Sequence, residues 1–116
     1  MKSLSVVIGL AAVAAGLLLG PTHVLAASAE KGKEAFLQHG CWQCHGYQGQ
    51  GGIAGARLAP NPIPFETLSN FVRTTNRAMP PFGKEILSDE DMADIYAYLQ
   101  SIPQDPDPNS IPLLNP

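Results

Sequence analysis

Cys41 and Cys44 are the only cysteines in a chain of 116 residues, and His45 follows the second one directly. Four chemistries use such a cluster: a local disulfide, a structural zinc site, a redox dithiol, or covalent attachment of a haem. A disulfide closing so short a loop would constrain the unfolded chain very little. A redox dithiol of the thioredoxin kind needs a strand–helix–strand frame, and no stretch alternates apolar and polar residues long enough for a convincing strand. Structural zinc takes four ligands, commonly two pairs from distant segments. Once an N-terminal leader is set aside, only His39 and His45 join the cysteines, and all four lie within seven residues, too cramped for a tetrahedron. The spacing Cys-x-x-Cys-His meets the fourth demand. It is the haem c attachment pattern, in which the thiols add across the vinyl groups and a short helical turn aims His45 at the iron.

A sixth ligand must then come from elsewhere. His39 lies just before the attachment turn, on the side that His45 already occupies. Met92 falls on the apolar face of a capped helix, where a methionine fills core. Met79 lies in a loop stiffened by Pro80 and Pro81, on a connection long enough to reach the opposite haem face, and it is the expected distal ligand. A thioether paired with an imidazole favours Fe(II) and raises the reduction potential. It also leaves no open coordination position, which describes an electron carrier rather than an enzyme.

Three helices are predicted to position these groups. The first covers Ser28 to Gln38, capped by Ser28, with Gly32, Ala35, Phe36 and His39 on one face and Gly40 as the stop. Positions 46–56 are glycine-rich, follow no strand and lack the spacing of a phosphate loop. Phe65, Leu68, Phe71 and Val72 recur at helical spacing, and Pro80-Pro81 ends any helix that follows. The third helix starts at Ser88, with Asp91 as a near capping box and Leu87 stapling Met92. It presents Met92, Ile95, Leu99 and Ile102, and stops at Pro103. Five prolines in the last 14 residues predict an extended tail. The fold class is all-α, with long loops.

The ends define the compartment. Lys2, the apolar run Leu4 to Leu19, and the small-residue patterns Val24-Leu25-Ala26 and Ala27-Ser28-Ala29 have the layout of a secretory signal peptide. Residues 1–29 are therefore expected to be a leader cut after Ala26 or Ala29, residues 30–103 the domain, and 104–116 a proline-rich tail. An uncleaved anchor is the alternative, although 16 apolar residues fall short of the ~20 that span a bilayer. Export to a bacterial periplasm follows, with no stable membrane insertion after cleavage. Setting Lys2 aside leaves six basic residues against ten acidic ones, which argues against nucleic acid or an anionic membrane as partner. The ~90 residues that remain make one domain, small enough to need a staple or cofactor.

The motifs "CWQCH", Gly32-x-x-x-Phe36, "AMPPF" around Met79 and "DIYAYL" at 94–99 together resemble the class I, monohaem c-type cytochromes, in the small bacterial form, over positions 28 to 103. The resemblance implies a cytochrome c fold in which the first and last helices cross closely, Gly32 and Phe36 packing on Ile95 and Tyr98. That family often carries Gly-Pro-x-Leu after the haem motif, where the proline carbonyl accepts a hydrogen bond from the proximal histidine. "GARL" at 55–58 has Ala56 there, whose carbonyl can still accept. Arg57, Arg73 and Arg77 flank segments expected to touch haem and are the candidate donors to its propionates. Trp42 is expected to pack beside the porphyrin.

The expected function is one-electron transfer in the periplasm, the haem cycling between Fe(III) and Fe(II), from a dehydrogenase to an oxidase or another cytochrome. The alternative is a tightly bound cytochrome subunit of a flavin-, quinone- or molybdenum-dependent dehydrogenase. The segments 46–56 and 79–82 contain no carboxylate, so an apolar docking patch centred on Met79 to Phe82 is expected, with the acids of the last helix as its rim.

Overall fold

The computed structural model describes residues 26–115; most of the expected leader lies outside them. Among the described residues there are four α-helices and no strand. α1 spans Ala29–Gln38, α2 Trp42–His45, α3 Phe65–Thr74 and α4 Asp89–Ser101. Three of these match the predicted helices. α2 is the attachment turn, regular enough to stand as a fourth.

α1 begins where Ser28 accepts the Lys31 N–H through its hydroxyl, satisfying one of the orphan donors of a first turn. Its end is a Schellman motif. The Gly40 N–H donates to the Leu37 carbonyl, and the Cys41 N–H to the Phe36 carbonyl. Gly40 sits at φ 73°, a left-handed conformation that glycine adopts without penalty. The stop therefore does more than end the helix: it turns the chain directly into Cys41.

α4 is capped by Ser88, whose hydroxyl accepts the Asp91 N–H at 3.0 Å and donates to the Asp91 carboxylate at 2.8 Å. Leu87 and Met92, the predicted staple, are both about 2 % exposed. Lys84 lies 2.7 Å from Asp89 and is the main reason the exposed Asp89 carboxyl titrates below its usual range.

α1 and α4 form the principal helix pair, and α3 packs more lightly on α4. At the crossing, a Cβ on Gly32 would lie 1.8 Å from the Asp94 carbonyl oxygen, so only glycine permits this approach. The rings of Phe36 and Tyr98 meet alongside, their centroids 5.7 Å apart. This is the close helix contact that the sequence implied. The core comprises Ala35, Phe36, Ala59, Leu68, Leu87, Met92, Ile95, Tyr98 and Leu99.

The glycine-rich segment after α2 is ordered by its own backbone: the Leu58 and Ala59 N–H groups both donate to the Gly49 carbonyl, and the Gly51 N–H to that of His45. The tail is not simply extended, but makes two 3₁₀ turns, Pro108–Ser110 and Pro112–Leu114. Proline at the first position suits each turn, and the Asp107 carboxylate caps the first by accepting the Asn109 N–H.

Candidate cofactor-binding site

Cys41, Cys44 and His45 all line one cavity of about 1160 Å³. Its walls come from every part of the domain: Phe36 of α1 and His39 just after it, residues between Ala54 and Ile63, Leu68 and Phe71 of α3, Arg77 to Pro80 with Phe82, and Met92, Ile95 and Leu99 of α4. Pockets for small ligands run to roughly 300–1,000 Å³, so this one suits a large, mostly apolar molecule.

The two thiols are free. Cys44 is exposed, whereas burial pushes the Cys41 thiol up to about 11. A reactive redox dithiol has the opposite trait, a thiol lowered toward neutrality.

His45 is held by a 2.7 Å hydrogen bond from Nδ1 to the Ala56 carbonyl. A carbonyl only accepts, so Nδ1 carries the proton and Nε2 keeps its lone pair for a metal. Ala56 thereby provides the backbone acceptor expected of it. Its neighbour makes the approach possible: a Cβ on Gly55 would fall 2.7 Å from the Cys44 carbonyl oxygen and 3.0 Å from His45 Nδ1. Among the described residues no group of three or more His, Cys, Asp or Glu side chains gathers to hold a bare ion. What the chain offers is a single oriented imidazole beside two thiols, on the wall of an apolar cavity. That set fits a haem.

Met79 lies on the same wall, half-buried in its loop. Met92 reaches the wall too, but as a core residue about 2 % exposed.

The three arginines have different placements. Arg77 lines the cavity, is exposed, and has no acidic partner among the described residues. Arg57 lines it as well, with Nε donating to the Ala59 carbonyl at 2.9 Å and the guanidinium paired with Asp105. Arg73 is not part of the wall. Its guanidinium is directed instead to the Phe82, Leu87 and Ser88 carbonyls and the Asp89 carboxylate. The expectation of a propionate contact is corrected for Arg73, because these acceptors already engage it.

Trp42 also differs from expectation. It stacks on Tyr47, centroids 4.7 Å apart and planes 14° from parallel, and is not among the cavity residues. Trp42 is the first residue of α2, and its ring lies on Tyr47, whereas Gln43, Cys44 and His45 of the same turn line the cavity. Tyr47 is held in turn by Tyr98, whose hydroxyl donates to its carbonyl at 2.8 Å; burial raises the Tyr98 phenol. Neither this bond nor the Arg57–Asp105 pair carries a local signal in the sequence, since 51 and 48 residues separate the partners.

An all-α domain that sets a Cys-x-x-Cys-His turn on the wall of a large apolar cavity defines a c-type cytochrome, a haem-based electron-transfer protein. The family model for cytochrome c oxidase, cbb3-type, subunit III matches residues 27–99, well over half of the chain, and the chain belongs to that family. Comparisons with curated proteins and with solved structures returned no match.

Proposed function

We propose that this protein is an exported one-electron carrier holding one covalently attached haem c, with Cys41 and Cys44 as the thioether residues and His45 and Met79 as the axial ligands. Bound haem supplies the redox centre, an iron alternating between Fe(III) and Fe(II). The observation that carries the reading is the His45–Ala56 bond, which leaves Nε2 as the free donor on a wall that also contains both thiols and Met79. A histidine ligand is oriented by its second-shell partner in this way. A thioether from Met79 biases the iron toward its reduced state.

Arg77 and Arg57 are the proposed propionate donors, Arg57 sharing its charge with Asp105. Around the cavity mouth Ile63 and Phe71 are 51 % and 43 % exposed, and with Pro80 and Pro81 they supply the apolar contact patch for brief encounters with redox partners. Residues up to Ala26 are the proposed leader and the periplasm the proposed compartment. No described helix is long and apolar enough to cross a membrane.

The test is expression in a periplasm that matures c-type cytochromes. The purified protein should carry the mass of one haem after denaturation and show a reversible one-electron reduction. Haem extracted by acidified solvent would overturn covalent attachment.

A second reading has one observation behind it: the family is described by a subunit of an oxidase. On that reading the domain is a fixed cytochrome subunit of a larger redox complex. Copurification at constant ratio with a large subunit distinguishes it from a free carrier.

A further inference from the structure

The loop that carries Met79 has no helix or strand of its own between α3 and α4, yet a ligand loop must present its sulfur in one place. Its attachments converge on Phe82. The Phe82 N–H donates to the Val72 carbonyl at 2.9 Å. The Phe82 carbonyl accepts from Arg73 at 2.9 Å. The Phe82 ring meets His39 edge-on, centroids 6.4 Å apart. Two of these three anchors come from consecutive residues of α3, and one of them is a side chain.

Arg73 does more than hold one carbonyl. The nitrogen that reaches Phe82 also donates to the Leu87 carbonyl, and the other terminal nitrogen donates to the Ser88 carbonyl and the Asp89 carboxylate. The side chain is only 12 % exposed. Its Nε is buried and has no partner among the described residues, so the guanidinium is held there by the four remaining contacts. A planar fork with donors in fixed directions can join several acceptors at once, which an ammonium cannot do. The fork ties both ends of the segment 82–89 to α3 and so closes the loop that begins at Met79.

We propose that Arg73 is a positioning residue for the distal ligand. It holds Phe82, three residues after Met79, and thereby keeps the thioether loop seated against competing ligands. This rests on the reading of Met79 as an axial ligand. A guanidinium–carbonyl bond of this kind, lost from a semi-buried site, raises the population of the displaced loop by about tenfold or more. A ligand from solution that binds only when the loop is displaced gains the same factor.

The experiment titrates imidazole into the oxidised holoprotein and follows the absorption of the thioether–iron pair. Arg73→Met should bind imidazole about tenfold more tightly than the parent. Arg73→Lys, which keeps the charge but not the fork, should fall between the two. Asp89→Asn, which weakens the contacts of Asp89 with Arg73 and Lys84 but keeps the bonds from Arg73 to the Phe82 and Leu87 carbonyls, should stay near the parent. In a Met79→Ala background the Arg73→Met change should add nothing, because the ligand it positions is gone.

The two readings fail differently. If Met79→Ala alone leaves imidazole affinity unchanged, Met79 is not the ligand. If Met79→Ala raises the affinity and both Arg73 variants keep the parent value, Met79 stands and the positioning role is overturned. Should Arg73→Met not fold, a folded Arg73→Lys protein with unchanged affinity overturns it equally. An increase that persists in the Met79→Ala background would show general loosening of the domain, and would also overturn it.

Discussion

Two methionines reach the cavity wall, and their surroundings separate them. Met92 is packed into the first turn of α4 against Leu87, whereas Met79 stands on a loop pinned a few residues later. Changing Met79 to alanine should open the iron to added cyanide or imidazole. It should also lower the midpoint potential by on the order of 0.1–0.3 V, part of the ~0.8 V range that axial ligands span. Met92→Leu should do neither, because the substitution conserves volume in a core site. Redox titration and optical spectra of the two variants check this. Arg77 supports a finer expectation. A cation beside the cofactor favours the reduced, more negative state, so its removal must lower the potential. A charge interaction of about 1 kcal/mol or less at an exposed site corresponds to at most about 40 mV for one electron. Arg77→Gln should therefore move the midpoint down by tens of millivolts. Arg57→Gln should move it less, since Asp105 already offsets that charge.

At the scale of elements, the crossing of α1 and α4 rests on a missing side chain. Gly32→Ala would put a Cβ 1.8 Å from the Asp94 carbonyl oxygen, and backbone on one side and a helix on the other leave nothing flexible to yield. The crossing must widen, moving Phe36 off Tyr98. A loss of about 3 kcal/mol, the upper end for overpacking, is expected in denaturant unfolding of the holoprotein. The start of α1 bears on the leader. Ser28 caps the helix, and its N–H donates at 2.6 Å to the carboxylate of Asp94, a residue only about 3 % exposed. Cleavage after Ala29 would remove both contacts. It would cost about 1 kcal/mol for the cap and leave a buried carboxylate without this donor. Cleavage after Ala26 keeps them and adds an ammonium at Ala27, one residue from Ser28. Intact mass of the exported protein should accordingly correspond to a chain starting at Ala27; a start at Glu30 would reverse the argument.

For the whole molecule, the decisive fact is where the core faces. Of the nine core residues, Phe36, Leu68, Leu87, Met92, Ile95 and Leu99 also line the cavity. The core thus borders the cavity along much of its length, in a domain already small for independent stability. The doubly substituted chain Cys41→Ser, Cys44→Ser, prepared without haem, should be largely unfolded by circular dichroism and show no cooperative melt. A helical, cooperatively melting product would mean that α1, α3 and α4 suffice by themselves.

Local chemistry was legible in the sequence where its partners are near neighbours. The Cys41-x-x-Cys44-His45 turn, the Ser28 and Ser88 caps, the Gly40 stop and the Pro80-Pro81 break depend on residues a few positions apart, so spacing alone reveals them. The Gly32–Phe36 pair could be placed opposite Tyr98 only through the resemblance to class I c-type cytochromes, which implies a close crossing of the first and last helices. The destinations of long side chains were not legible. Arg73, Arg57 and Trp42 are flexible or large groups in segments that pass near the cavity, and sequence distance does not say which acceptor or ring lies within reach. Only the docking of α3 against the start of α4 sends Arg73 to Phe82 and Ser88. Only the return of the tail brings Asp105 to Arg57, and only the coiling of the loop after α2 lays Tyr47 on Trp42. The sequence by itself determined which atoms could do chemistry. The tertiary structure decided which charges remain available to the cavity, because a hydrogen bond or ion pair is won by whichever partner the fold brings within about 3 Å.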